Sequence, residues 1–160
     1  MSQGQVVSIH IAAMAAAPMQ AVNTVVAIAG RGLEGDRYFN KSGTYSNNPG
    51  TGRHVTLLES EAIEALRREY SVELDAGLAR RNIVTRCAAL NHLVEKEFKI
   101  GAVTLRGTRL CEPCAHLEKL CSKGVMRGLI HRGGLRAEIL TGGTIRVGDA
   151  IGIVDRKSVV

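Results

Sequence analysis

The residues best suited to chemistry lie in one short stretch, Leu110-Cys-Glu-Pro-Cys-Ala-His-Leu-Glu-Lys-Leu-Cys121. Pro113 stands directly after a predicted strand, at the position that a first helical residue would take. The Cys114 thiol would then lie beside backbone N–H groups that have no helical partner, and these groups favour the thiolate. A thiolate can carry sulfur as a persulfide or bind a soft metal ion. Cys114 is therefore the candidate catalytic residue and the candidate metal ligand.

Other interpretations of these cysteines stay open. Cys114 can also be a small buried hydrophobic residue, as free cysteines often are. Cys111, Cys114, His116 and Cys121 are of the right types for a zinc site, although four ligands within eleven residues crowd a tetrahedral geometry. Cys111 and Cys114 also have the spacing of a dithiol redox pair. The chain, however, has no proline after Pro113 and no βαβ pattern, both of which a thioredoxin-like protein would need.

The composition is that of one globular domain, which we assign to residues 1–160. Hydrophobic residues make up 45% of the chain and charged residues 22%, and 160 residues can bury a core without disulfides or metals. The net charge of +6 is spread along the chain, which suits a local anionic ligand or simply a solvated basic surface. With five aromatic residues and no tryptophan, we expect no nucleic-acid partner, because stacking platforms would be hard to build.

The first residues do not have the pattern of an export signal. No Lys or Arg precedes Arg31, so the apolar stretch over residues 6–22 lacks the positive flank of a secretory signal. No stretch reaches the roughly 18 apolar residues that a membrane span needs. We therefore expect a cytoplasmic protein with no membrane partner and with reduced cysteines.

The elements that must position Cys114 are predicted to be mostly strands. Runs of β-branched or alternating residues predict strands over residues 5–11, 22–28, 53–58, 81–85, 102–110 and 150–154. The apolar residues Ala62, Ile63, Leu66 and Tyr70 have helical spacing, and Ser60 is placed to cap that helix. Many short strands and few helices indicate a mainly β barrel or sandwich.

Two glycine-rich regions are predicted to be irregular. Six glycines between residues 30 and 52 predict a long loop, which a compact domain rarely keeps without a use for it. Thr141-Gly-Gly-Thr144 lies between two alternating runs, and we expect a hairpin that joins the strand over 135–139 to the strand over 145–147.

Several segments follow one another in an order that is typical of a single family. They are Gly32-Leu-Glu-Gly-Asp-Arg37, Arg53-His-Val-Thr-Leu-Leu58, Arg80-Arg-Asn-Ile-Val84, Leu105-Arg-Gly-Thr108, Pro113-Cys114, and Arg132-Gly-Gly-Leu-Arg136 followed by Gly148-Asp149. Together they resemble the MOSC domain, the molybdenum cofactor sulfurase C-terminal domain, in its small stand-alone bacterial form. The chain departs from the family pattern between Val125 and Arg132, where fewer glycines and arginines occur than the resemblance would suggest.

The resemblance implies a mainly β fold of the pyruvate-kinase barrel type with a few short helices. It implies that Cys114 carries sulfur or binds molybdenum, and that the cofactor is molybdenum-molybdopterin. A persulfide donor such as a cysteine desulfurase and a redox partner are the implied protein partners. Sulfur transfer and the reduction of N-hydroxylated compounds are both activities of relatives, so the resemblance implies a sulfurtransferase or a molybdenum-dependent oxidoreductase.

A phosphate-bearing pterin needs guanidinium groups for its phosphate and a neutral polar side chain for its ring. The planar fork of arginine can donate two parallel hydrogen bonds to phosphate, so Arg37, Arg81 and Arg136 are the anion-binding candidates. Asn82 is the candidate that contacts the pterin. Asp36 is predicted to fix the glycine-rich loop by accepting hydrogen bonds from backbone amides, with the orientation of Arg37 as the alternative.

Two further alternatives concern the role of the site. His54 is expected to be a hydrogen-bonded strand residue, with a proton carrier near the thiol as the alternative. The whole domain can also be a non-catalytic module that holds the cofactor, or another anion, for a partner enzyme.

Overall fold

The computed structural model describes residues 4–41, 54–112 and 124–154. Strands dominate these ranges. They are β1 (Gly4–Ile11), β2 (Gln20–Val22), β3 (Thr24–Ile28), β4 (Gly32–Leu33), β5 (Val55–Glu59), β6 (Ile83–Arg86), β7 (Glu97–Ile100), β8 (Val103–Leu110), β9 (Leu135–Thr141), β10 (Gly143–Arg146) and β11 (Ala150–Ile153). The helical elements are α1 (Ser60–Tyr70), the single turn α2 (Val125–Gly128), and 3-10 turns at Ala76–Ala79 and Leu90–Leu93.

Seven of these strands close into a barrel. The order is β11-β7-β8-β9-β5-β6-β1, and β1 pairs again with β11 to complete the ring. Within the barrel as described, β5 and β6 form the one parallel pair, and α1 lies on the connection between them. The prediction of a mainly β, barrel-like fold with few helices is therefore confirmed.

The barrel interior is filled by the side chains that alternate inward along its strands. Its core is aliphatic apart from one aromatic ring, Phe98. On β5, Leu57 points into this core, whereas Leu58 points outward and packs against Leu66 of α1. Each fully buried side chain of this size contributes roughly 1.5–3 kcal/mol. The helix thus covers one outer wall of the barrel through a second, smaller apolar cluster.

The helix over residues 60–70 is confirmed, but the prediction that Ser60 caps it is wrong. Glu59 is the capping residue, with extended backbone angles and no side-chain bond to the helix, and Ser60 is the first helical residue. The reason is that β5 runs directly into α1 without a linker. The carboxylate of Glu59 instead accepts a hydrogen bond from Leu90 N at 3.2 Å. The helix ends at Tyr70, and Ser71 caps it in a left-handed conformation.

The predicted hairpin after β9 is also wrong in its pairing, although the turn lies where it was expected. β10 pairs with β3, in a separate three-stranded sheet in the order β10-β3-β4. A Cβ at Gly142 would lie 2.6 Å from the carbonyl oxygen of Ala27 on β3. The glycines therefore let the chain leave the barrel and approach the β3 backbone, where a folded-back hairpin would have kept it beside β9.

The glycine-rich region after β3 is irregular as far as the structure describes it. Residues 34–41 form turns, and the preceding Gly32–Leu33 pairs with β3. The rest of the predicted loop, residues 42–52, lies outside the described residues. In the described parts of the chain, no helix is long and apolar enough to cross a membrane.

Candidate functional site

One stretch of the barrel wall, formed by β1, β6, β5, β9 and β8, brings the predicted ligand residues together. The end of β1 pairs with the start of β6, β5 pairs with both β6 and β9, and the end of β8 pairs with the start of β9. Arg37, Arg81, Asn82 and Arg136 all lie on these segments or bond to them. Cys114 lies outside the described residues, as do His116 and Cys121. What the structure describes is the end of the strand that leads to Cys114, as far as Glu112.

Arg81 joins the end of β8 to the start of β9. Its Nε donates to the carbonyl oxygen of Gly133 at 2.8 Å, and its Nη2 donates to that of Cys111 at 3.1 Å. Cys111 N in turn donates to Gly134 O at 2.7 Å. The Arg81 side chain is only 7% exposed, so water competes little for these bonds. The backbone just before Cys114 is thereby fixed from two sides.

Gly134 is required for this arrangement. Its φ is +115°, and a Cβ there would lie 2.0 Å from the carbonyl oxygen of Leu57 and 3.6 Å from Arg81 Nε. No other residue type fits such a close approach to β5 without moving the backbone. The described contacts therefore account for Gly134 by its close packing against the β5 backbone.

Arg37 is part of a buried ion pair. Asp36 is fully buried, and its Oδ1 accepts from Ala12 N and from Arg37 Nη1, both at 3.1 Å, while Oδ2 accepts from Tyr38 N at 3.4 Å. The prediction that Asp36 fixes the loop by binding backbone amides is confirmed. Arg37 Nη2 also donates to the carbonyl oxygen of Arg80 at 3.2 Å. The pair therefore ties the glycine-rich loop to the residue before Arg81.

The Asn82 side chain bridges β1 and β5. Its Oδ1 accepts from Thr56 N at 3.1 Å and from Thr56 Oγ1 at 3.2 Å, and its Nδ2 donates to His10 O at 3.1 Å. The residue is 2% exposed. An amide oxygen accepts two hydrogen bonds, so Oδ1 is saturated and one N–H of Nδ2 is left for other contacts. Asn82 thus holds the strands of the site together.

Arg136 is arranged differently from Arg37 and Arg81. On β9 it lies between Thr56 of β5 and Arg109 of β8. Its neighbours Leu135 and Ala137 face the core, so its own side chain projects from the outer wall. Its Nη1 is buried and has no hydrogen-bond partner in the part of the chain that the structure describes. A buried cationic donor without an acceptor is costly, which points to an acceptor supplied by a ligand.

His54, directly before β5, is buried, and its Nδ1 accepts a hydrogen bond from Ile139 N at 3.4 Å. Nδ1 must therefore be unprotonated, and the neutral ring carries its proton on Nε2. Burial lowers the pKa of His54, and the nearby charge of Glu138 opposes that shift in part. The prediction of a hydrogen-bonded histidine is confirmed, but the residue lies just before the strand and not within it.

Sequence reasoning missed a contact between Glu112 and His131. Glu112 Oε1 accepts from His131 N at 2.8 Å, and Oε2 lies 3.0 Å from His131 Nδ1. Asn91 Nδ2 also donates to the carbonyl oxygen of His131 at 2.8 Å. Both partners are polar and exposed and are far apart in sequence, so no local pattern could have paired them. The contact adds another link between the residues on either side of 113–123.

The metal and dithiol alternatives both involve Cys111. Among the described residues, no group of three or more His, Cys, Asp or Glu side chains is placed to hold a metal ion. Cys111 is a free, buried thiol at the end of β8, and Cys87 is a free, exposed one. The partners that Cys111 would need for zinc or for a disulfide lie outside the described residues.

Comparisons with known proteins agree with this geometry. The family model of the MOSC domain matches residues 44–152. The fold is similar to that of the YuaD protein from Bacillus subtilis, with a TM-score of 0.79 and 14% identity over 95% of this chain and 96% of that one. YiiM from Geobacillus stearothermophilus gives a TM-score of 0.71 and 15% identity over 96% of this chain and 76% of that one.

YiiM from Escherichia coli gives a TM-score of 0.70 and 14% identity, covering 98% of this chain and 71% of that one. A comparison with curated protein sequences finds no match. At identities this low, the likeness to solved structures establishes the fold alone.

Proposed function

Because the chain belongs to the MOSC domain family, we propose that it binds a molybdenum-molybdopterin cofactor, or carries sulfur for it, at this stretch of the barrel wall. Cys114 is the proposed thiolate that holds molybdenum or a persulfide sulfur. When bound, the molybdenum would supply two-electron redox chemistry, such as the reduction of N-hydroxylated compounds. The residues of this chain would bind the pterin phosphate, fix the backbone before the thiolate and restrict access of water.

The observation that supports the proposal is the buried Nη1 of Arg136, which has no hydrogen-bond partner within residues 4–41, 54–112 and 124–154. The phosphate of molybdopterin is the kind of acceptor that such a donor lacks, and a guanidinium binds it with charge-assisted hydrogen bonds. Arg81 binds the backbone just before β9, the strand that carries Arg136, and adds positive charge. Two of its nitrogens bind backbone carbonyl oxygens, so its main contribution is to hold the strand before Cys114.

A fixed strand end is what a reactive thiolate needs. Cys111 is bound through its N–H to Gly134 and through its carbonyl oxygen to Arg81, and Glu112 is bound to His131. Reacting atoms must be held within a fraction of an ångström of their working positions, and rigid neighbours provide that restraint. In this proposal the protein acts in the cytoplasm, with a cysteine desulfurase or similar persulfide donor and a redox partner.

A second candidate is a binding module without chemistry of its own, which holds the cofactor or another anion for a partner enzyme. The same Arg136 donor supports it, because anion binding does not require Cys114. The dithiol oxidoreductase alternative is less well supported, because Cys111 is buried at the strand end.

The proposal is tested by purifying the protein from molybdate-sufficient cells and measuring bound molybdenum, pterin and persulfide sulfur. We expect molybdenum with pterin, or a persulfide on Cys114, in the wild-type protein. Cys114→Ala should lose molybdenum or persulfide but keep the pterin, whereas Arg136→Gln should lose the pterin. Arg106→Gln, on the same outer wall, is the matched control and should behave as the wild type.

A wild-type protein that holds neither molybdenum, pterin nor persulfide would contradict the proposal. A Cys114→Ala variant that retains full molybdenum, with no persulfide in the wild type, would support the binding module instead.

A further inference from the structure

The outer face of β8 and β9 carries two arginines directly opposite each other. In the antiparallel register Arg109 pairs with Arg136, and the adjacent pair is Leu110 with Leu135. Leu135 belongs to the barrel core, so Arg109 and Arg136 both project from the outer wall. Side chains in such a pair are within contact range, and like charges there weaken the pairing of the strands. The fold therefore keeps a repulsive pair next to the proposed site.

A bulge in β8 creates this pair. Gly107 pairs with Ala137, and both are buried on the core side, so uninterrupted alternation would turn the side chain at position 109 inward. The register shifts between Gly107 and Arg109, which turns Arg109 outward. Thr108 Oγ1 holds the bulge by donating to Arg136 O at 3.0 Å. Bulges commonly redirect a side chain next to a functional site.

A nearby arginine on the same wall lies opposite carboxylates. Arg106 pairs in strand register with Glu97 on β7 and with Glu138 on β9. Arg109 and Arg136 lie opposite each other instead, and in the described part of the chain none of these three arginines forms an ion pair. Of this arginine pair, Nη1 of Arg136 is buried without a hydrogen-bond partner among the described residues.

We propose that Arg109 and Arg136 form a subsite for a tetrahedral dianion, the chemistry shared by a phosphate monoester and by free phosphate. Two guanidinium groups on neighbouring strands can each donate hydrogen bonds to one such ion. The ion would remove the repulsion between the arginines and give Nη1 of Arg136 its acceptor. That the phosphate belongs to a pterin rests on the proposed function; the subsite itself does not.

The test uses inorganic phosphate and phenyl phosphate as probes and the purified full chain. Binding is followed by calorimetry and by the rise in thermal midpoint with probe concentration. Arg109→Gln is the main variant, because an exposed strand residue can be changed with little effect on folding. Arg136→Gln is the second, and Arg106→Gln is the matched control that removes the same charge from the same wall.

We expect the wild type and Arg106→Gln to bind phosphate equally, and Arg109→Gln and Arg136→Gln to bind it about 10-fold to 100-fold more weakly. Equal binding by all four proteins would overturn the subsite. Tighter binding of phenyl phosphate than of inorganic phosphate would identify an ester as the source, and the reverse order would identify the free ion. A protein that binds phosphate in this way but holds neither molybdenum nor pterin would keep the subsite and refute the cofactor.

Discussion

The Arg81 guanidinium binds the carbonyl oxygen of Cys111, three residues before Cys114, at 3.1 Å. A second bond from the same guanidinium reaches Gly133, so one buried side chain fastens two strands of the barrel at the proposed site. Arginine suits both a phosphate-binding site and a structural link between strands. The contacts of Arg81 are those of a structural link. The predictions that follow separate such structural roles from ligand binding.

Arg81→Lys is expected to destabilise the fold, because an ammonium group cannot reach two carbonyl oxygens with the geometry of a planar fork. The loss of one or both bonds should lower the free energy of unfolding by about 1–3 kcal/mol. Urea denaturation, monitored by circular dichroism, measures this decrease in the free energy of unfolding. Arg106→Lys, on the exposed wall, is the control. If both variants are equally stable, the bonds of Arg81 do not hold the strand ends.

Gly134→Ala should be among the most damaging small substitutions in the chain. The new Cβ would lie 2.0 Å from Leu57 O, and the residue would be held at a φ of +115°. Gly148 also has a positive φ, +94°, but has no atom within 4 Å of a Cβ, so Gly148→Ala measures backbone strain alone. We expect strain to cost about 1 kcal/mol at Gly148.

Because of the clash, Gly134→Ala should destabilise the fold several times more than Gly148→Ala. Thermal unfolding of both variants measures the two effects. Similar midpoints for the two would mean that the β5 backbone moves aside freely.

Local patterns predicted most of the barrel strands and α1, because inward and outward alternation and helical spacing are properties of neighbouring residues. Asp36 was predictable for the same reason only in its bond from Tyr38 N, two residues away, whereas its bond from Ala12 N joins the loop to a distant part of the chain. The pairing of β10 with β3 was not, because it depends on backbone contact between Gly142 and a distant strand.

The use of Asn82 was not predictable either. Its amide is bound by Thr56 and His10, which lie on two other strands, so a polar residue suited to a ligand is used to join strands. The opposition of Arg109 and Arg136 depends on a bulge, and a one-residue shift of register reverses which side chains face outward. These are consequences of pairing, which no single segment of the sequence specifies.

Thr85 and Thr56 allow a comparison of how much a threonine hydroxyl contributes to the free energy of unfolding with and without a hydrogen-bond partner. Thr85 Oγ1 is buried and has no hydrogen-bond partner among the described residues, whereas Thr56 Oγ1 bonds to Asn82. Valine has nearly the same shape as threonine, so Thr85→Val should be neutral or raise the free energy of unfolding by about 1 kcal/mol. Thr56→Val should lower it by about 1 kcal/mol, since the hydroxyl loses its bonds to Asn82 N and Oδ1 while Asn82 N keeps Thr56 O as an acceptor. Guanidinium denaturation of both variants gives the comparison, and a Thr85→Val protein as unstable as Thr56→Val would show that the Thr85 hydroxyl has a partner.

Stability should fall as the solution is acidified below about pH 6.5, in part because of His54. Burial holds the pKa of His54 below that of the unfolded chain, which is about 6.5. Between the folded and the unfolded pKa, the unfolded state binds more protons, so the free energy of unfolding decreases as pH falls through this window. The limiting slope is about 1.4 kcal/mol per pH unit for one group. His54→Asn keeps an acceptor for Ile139 N but does not titrate, so its stability should depend less on pH.

His10, whose pKa burial also lowers, remains in both proteins and supplies a common background. Urea denaturation of wild type and His54→Asn at pH 7 and pH 5 measures the difference. Parallel losses of stability would show that the His54 ring accepts a proton in the folded barrel without penalty, which its bond from Ile139 N argues against.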